Sequence, residues 1–197
     1  LNLNSYGLSE GINEVIVTTI SNSKQPNAAP IGLRIKKGKV SAKIYKNTTT
    51  YRNIFETHSL IGNIVDDPLL FITAALSNLN KKHYIFKKNL PIPVLKQANA
   101  WVLFECRISE LNQEPALVML KPKLGEVVNK KVAAINRALY AVIEAAIHAT
   151  RYLATGEMKY RELIDYYSTI VEKCGGSREK KALLKLKQYL ENSYGYG

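Results

Sequence analysis

Along the first 120 or so residues, apolar positions come in short β-branched runs or alternate with polar ones; beyond Gly125 they recur every three or four. "NEVIVTTIS" (13–21) reads as a strand, and "SNSKQPN" (21–27) carries turn chemistry. "AAPIGLRIKK" (28–37) reads as a second strand. Gly38 turns it into "KVSAKIYK" (39–46), where Val40, Ala42 and Ile44 alternate with Ser41, Lys43 and Tyr45, so the two form a hairpin. A short helix follows over roughly 50–57, then a buried strand in "SLIGNIV" (59–65), whose Gly62 leaves room for something close to the backbone. "DDPLLFITAAL" (66–76) sets Asp before Pro before an apolar run, a helix start. Residues 77–97 are polar and proline-broken and read as a surface excursion. "NAWVLFECRISELN" (99–112) is a long strand, and "PALVML" (115–120) returns from it.

After Gly125 the period is helical. Val128, Val132, Ile135, Leu139, Val142, Ala146 and Leu153 fall on one face, which predicts one helix of about 29 residues. Two more are expected over 158–173, closed by Gly175-Gly176, and over 178–192. Strands first and helices after make an α+β chain: a small β barrel or sandwich followed by a helical subdomain. A parallel α/β fold is disfavoured, and neither GxGxxG after a strand nor GxxxxGK[ST] is present.

Composition narrows the class. Hydrophobic residues at 46% and charged ones at 22% are globular values, and no apolar run is long enough to span a membrane. The opening "LNLNSYGLSEG" does not read as a signal peptide. Cys106 and Cys174 lie in different elements, and His58, His83 and His148 are scattered, so the reading is reduced thiols, no metal site and a cytoplasmic protein. The net charge of +12 divides as +3 over residues 1–80 and +9 over 81–197. It suits a polyanionic partner or serves solubility.

Four stretches carry candidate chemistry. "KNTTTYRN" (46–53) stacks Thr48, Thr49, Thr50, Arg52 and Asn53 at a helix start; one threonine serves as a cap, or the free N–H groups, hydroxyls and guanidinium together hold a phosphate. "NAAPIGL" (27–33) combines small side chains with Pro30, which has no N–H for a ladder; it is an edge strand, or a flat surface for a heteroaromatic ring. In "INRALYAVIEAAIHATRYL", Asn136, Tyr140, Glu144 and His148 lie four apart and Arg137, Glu144 and Arg151 seven apart, a proton relay or a salt-bridge ladder on one flank. "KKHYIFKK" (81–88) interleaves aromatics with lysines, a nucleic-acid stacking platform or a strand with Tyr84 and Phe86 turned to a core. No nucleophile stands out, so chemistry here implies a cofactor.

In order, these stretches resemble the flavin-reductase-like FMN-binding split barrels. "NAAPIGL" resembles their small-residue strand along the isoalloxazine ring, and "TTYRNIFETHSLIGNIV" their phosphate loop, helix and following strand. The likeness is closer to the largely archaeal domain of unknown function 447 family, through "EVIVTT", "NAAPIG", "TYRNI", "DDPLLF" and "NRALYAVIEAAIHATR". The resemblance implies an antiparallel split β-barrel domain over 1–123 and a C-terminal helical subdomain over 124–197. It also implies non-covalent FMN and a homodimer with the flavin near the interface. Carried over, Thr48, Thr49, Thr50 and Asn53, with Arg52, hold the phosphate; Ala29, Pro30, Ile31 and Gly32 line the ring; and Asn63 sits close to it. The resemblance assigns no role to the helical part, from which Arg137 or Arg151 could close the pocket. The implied function is an oxidoreductase of the flavin-reductase type with a nicotinamide electron donor. The alternatives are a non-catalytic FMN or nucleotide carrier and a basic nucleic-acid-binding module using Lys81, Lys82, Lys87 and Lys88.

Overall fold

The computed structural model describes residues 1–109, 113–130 and 134–194. The strands are β1 (Gly11–Ile20), β2 (Pro26–Lys36), β3 (Lys39–Ile44), β4 (Ser59–Ile64), β5 (Tyr84–Ile85), β6 (Val94–Leu95), β7 (Ala100–Ile108) and β8 (Ala116–Val127). The helices are α1 (Thr49–Thr57), α2 (Pro68–Leu76), α3 (Arg137–Thr155), α4 (Met158–Cys174) and α5 (Ser177–Tyr194). They fold as two compact units, one of residues 1–65 and 79–131, the other of 66–78 and 132–197.

In the first unit, β1-β2-β3-β8-β7-β4 close into an antiparallel barrel, and β5 and β6 form a separate two-stranded ribbon. Alternation decides which side chains go inside. On β3, Val40, Ala42 and Ile44 are buried while Lys39 and Lys43 are exposed, as the period of two demands. Val15, Val17, Leu33, Leu60, Val102, Phe104 and Val118 complete the barrel core, joined by Ile54 of α1. Gly62 faces this core: a Cβ there would lie 3.3 Å from Leu33 Cδ1 and 3.4 Å from Phe104 Cε2. The space it leaves is therefore taken by the barrel's own side chains. The opposite face of β1, β4 and β7 is covered by the excursion, where Ile20, Ile61 and Trp101 pack with Ile92 and Val94.

One seam of the barrel is open. β2 pairs with β1 from Pro26 to Ile35, but with β3 only from Arg34 to Lys36. Among the described residues, 26–33 thus have a strand partner on one edge alone. The short pairing follows from the turn: Lys37 and Gly38 both adopt positive φ (49° and 72°), the requirement of a tight two-residue hairpin, and β3 then leaves β2 to pair with β8.

The second unit is helical. Ile72 and Leu76 of α2 pack with Ala141, Val142, Ala145, Ala146 and Ala149 of α3, Ile164 and Val171 of α4, and Leu183, Leu186 and Leu190 of α5. The expected 29-residue helix is corrected here. β8 continues to Val127, pairing Glu126 with Trp101 and Val127 with Ala100, and α3 begins only at Arg137, where the Asn136 side chain accepts from Ala138 N at 2.9 Å. Val128 and Ile135 of the expected face are exposed, at 55% and 81%, and Val132 lies outside the described residues. The buried stripe is alanine, which brings the neighbouring backbones close. A helical period had run on into a strand because valine suits both.

Charge also divides differently in three dimensions. The barrel unit holds 18 Lys and Arg against 7 Asp and Glu, and the helical unit 10 against 9. The basic surface therefore belongs to the barrel, and the +9 of the C-terminal half reflects only where the chain was cut.

Candidate functional site

The chain leaves β3 at Ile44 and turns directly into α1. Thr48 is the cap: its Oγ1 accepts from Tyr51 N at 3.2 Å and donates to Tyr45 O at 2.6 Å. The N–H groups of Thr49 and Thr50 have no partner among the described residues. Thr49 and Arg52 are exposed, and neither side chain has a polar partner among those residues. The first turn carries no acidic residue. Free N–H groups, the positive end of a nine-residue helix, a hydroxyl and a guanidinium together make an anion-binding corner.

Thr50 and Asn53 are different. Thr50 is 2% exposed and its Oγ1 accepts from Asn27 Nδ2 at 3.0 Å; Asn53 is 1% exposed and its Nδ2 donates to Thr19 Oγ1 at 3.0 Å. The first bond brings α1's first turn to the half of β2 that has an open edge, and the second ties Asn53 to β1. Of the residues singled out in "KNTTTYRN", Thr50 thus meets the "NAAPIGL" strand, through Asn27. Neither Asn27 nor Thr19 was flagged in the sequence, because only the strand register makes them opposite partners.

On β2, Ala29 and Ile31 stand opposite Val17 and Val15, on the core side, and Pro30 and Gly32 stand opposite Ile16 and Glu14, on the outer side. All four are half-buried. A Cβ at Gly32 would meet Glu14 Oε1 and Ile12 Cγ2, both at 3.0 Å, so side chains of β1 already cover that face. What β2 leaves accessible here is its main-chain edge. Glu14 is the carboxylate nearest the strand and was not anticipated.

Asn63 lies on β4, opposite Ile16, and is completely buried. Its Nδ2 contacts Ile16 O (2.9 Å), Thr18 Oγ1 (3.1 Å) and Ile61 O (3.3 Å), and its Oδ1 accepts from Leu95 N at 2.8 Å. Thr18 Oγ1 in turn donates to Pro93 O at 2.6 Å. The amide is spent on tying the excursion to the barrel.

Within "KKHYIFKK", Tyr84 is buried and burial pushes its phenol up to about 12, while Phe86 is exposed. Lys87 pairs with Glu126 and lies 5.2 Å over the Trp101 ring. On the helical flank, Arg137 donates to Cys174 Sγ at 3.1 Å and Arg151 lies 5.9 Å over Tyr160. Cys106 is buried, which pushes its thiol up to about 12. Among the described residues no three His, Cys, Asp or Glu side chains are grouped for a metal.

His148 stacks on Tyr167 and Tyr160, with centroids 5.7 and 6.0 Å away, and its Nε2 is 3.8 Å from Glu144. Burial, with the Arg151 charge, holds its pKa below the usual histidine value against the opposing pull of Glu144. The unfolded chain therefore takes up this proton first. Stability from neutral His148 is present above the ordinary pKa near 6.5 and is lost as pH falls through the lowered folded value. Urea denaturation of wild type and His148→Gln between pH 7.5 and 5 should show the acid-side loss shrink in the variant; parallel curves would discard this account.

Six antiparallel strands closed into a barrel with one half-paired strand, and a helix N-terminus at the gap, define a split barrel. The fold is similar to that of a split-barrel-domain protein from Shewanella frigidimarina, with a TM-score of 0.52 and 13% identity over 69% of this chain and 79% of that one. The chain belongs to the family described as protein of unknown function (DUF447): its N-terminal domain matches residues 13–129 and the second part of the family matches 136–188. Within that family it is similar to an FMN-bound protein from Methanosarcina mazei, 37% identical, covering 95% of this chain and all of that one with a TM-score of 0.88. An uncharacterized protein of Methanocaldococcus jannaschii is 25% identical over 190 residues, 89% of this chain and 95% of that one.

Proposed function

We propose that this chain is an FMN-binding flavoprotein and an oxidoreductase of the flavin-reductase type. The observation that carries the reading is the juxtaposition of a helix N-terminus with free N–H groups and the open main-chain edge of β2. A flavin mononucleotide needs both parts, donors for a dianionic phosphate and a flat polar edge for its ring. The residues fit it. Thr49, Arg52 and the N–H groups of Thr49 and Thr50 would hold the phosphate, and the β2 edge from Ala29 to Gly32 would line the ring. The FMN-bound relative from Methanosarcina mazei supports the choice of cofactor.

When bound, FMN would supply hydride and electron transfer; the protein binds it, orients it and sets the electrostatics. A nicotinamide donor and a homodimer belong to the same reading. Sedimentation equilibrium reads the association state, and a homodimer mass is expected.

The test is the visible spectrum of the purified, desalted protein, followed by an FMN titration monitored by flavin fluorescence. A yellow protein, or saturable quenching, is expected. A colourless chain that leaves FMN fluorescence unchanged would sink the reading. Turnover with NADH or NADPH then separates a reductase from a flavin carrier.

A further inference from the structure

We infer that Thr19, Asn27, Thr50 and Asn53 form a reciprocal bracket that sets the preference of this chain for phosphorylated over unphosphorylated flavin. The inference rests on the FMN reading above and deepens it. Thr19 and Asn27 are directly opposite on β1 and β2, while Thr50 and Asn53 are three residues apart on α1 and so share one helix face. One bond runs from the sheet amide to the helix hydroxyl and the other from the helix amide to the sheet hydroxyl, both at 3.0 Å. Thr19, Thr50 and Asn53 are almost wholly buried.

The bracket matters because it adds directional contacts near the N-terminus of α1. Ile54 reaches the barrel core, the half-buried Tyr51 packs against it, and Glu56 near the far end of the helix accepts from Asn22 N at 3.0 Å, while Phe55 and Arg52 face outward. Apolar packing by Ile54 and Tyr51 seats the helix but is non-directional. The two crossed hydrogen bonds are directional, and they fix where the Thr49 and Thr50 N–H groups and the Arg52 side chain point. Anion binding depends on that direction to within about half an ångström. Contact of a ring with the β2 edge does not pass through α1. The bracket residues are therefore positioning residues for the phosphate corner alone, and the ratio of FMN to riboflavin affinity reports them.

The experiment titrates the full chain with FMN and with riboflavin, following flavin fluorescence, in wild type, Asn27→Ala, Thr19→Val and Thr19→Ser. Wild type should favour FMN. Asn27→Ala and Thr19→Val each remove one bond and should lower the FMN-to-riboflavin ratio about tenfold, the equivalent of one ordinary buried hydrogen bond, with riboflavin affinity held within about twofold. Thr19→Ser keeps the hydroxyl and should restore the ratio. Thr19→Val is nearly isosteric and suits a strand, so it serves if Asn27→Ala does not fold. A ratio unchanged in both breaking variants overturns the inference, as does a parallel loss of both flavins, which marks a purely structural contact. A wild type that binds both flavins equally also overturns it. A wild type that binds neither removes the flavin reading itself, and the bracket's role with it.

Discussion

Arg52→Glu should lower FMN affinity by about a hundredfold or more while leaving riboflavin affinity nearly unchanged. Arg52 is exposed, lies three residues after Thr49 at the start of α1, and its side chain has no polar partner among the described residues. Its replacement should therefore alter stability by no more than about 0.5 kcal/mol. In the complex it would supply a charge-assisted contact of about 1.5–3 kcal/mol, and the glutamate adds repulsion of the phosphate and opposes the helix dipole. Together these amount to about 3 kcal/mol, or two decades in the dissociation constant. Parallel fluorescence titrations with the two flavins measure it. An equal loss for both would mean that Arg52 acts on the ring or on the fold, and would move the phosphate corner elsewhere.

The second large effect concerns Asn63. Asn63→Leu should destabilise the barrel by about 3 kcal/mol and expose the excursion, with FMN affinity little changed at temperatures where the protein stays folded. Leucine has the same branched shape and number of heavy atoms but leaves Leu95 N without its acceptor and removes the Asn63 donor from Ile16 O and Thr18 Oγ1, in a fully buried site. Unpaired buried groups of this kind cost about 1–3 kcal/mol each, partly recovered by the apolar side chain. Thermal denaturation reads the stability, and limited proteolysis between residues 79 and 97 reads the release. If instead the melting temperature holds and FMN affinity falls, Asn63 contacts the ring, as the family resemblance implied, and its protein hydrogen bonds are secondary.

The two predictions separate residues that the sequence had grouped together. "KNTTTYRN" presents three threonines, an arginine and an asparagine as equals. In the fold they divide by burial. Thr48 caps, Thr50 and Asn53 brace, and Thr49 and Arg52 remain open to solvent. A helix start was legible because threonine before an amphipathic run has a local meaning, the N-cap bond to the third residue on. Which hydroxyl faces inward depends on the angle at which α1 meets the sheet, and no local pattern encodes that angle. The protein partners of Asn63 were hidden for the same reason, since an asparagine in a buried strand signals only that its amide is satisfied, not by what.

The sequence by itself determined most of the order and kind of the elements: six strand signals, with short helices after the third and the fourth, and a helical C-terminal part. It also gave a threonine cap before α1, the Asp-Pro start of α2, the tight turn at Gly38 and the alternation that names the barrel core. These follow from interactions between residues a few positions apart. The one long-helix error came where valines after Gly125 satisfied a period of 3.6 as well as a strand, and only the pairing of β8 with β7 resolved it. Tertiary structure alone decided the open edge of β2, the bracket that joins α1 to β1 and β2, and the hydrogen-bond partners of Asn63. It also decided that the positive charge gathers on the barrel. Each of these depends on which distant residues become neighbours, and closure of the barrel sets that, bringing Thr19 beside Asn53 and Asn27 beside Thr50 across more than twenty residues of chain.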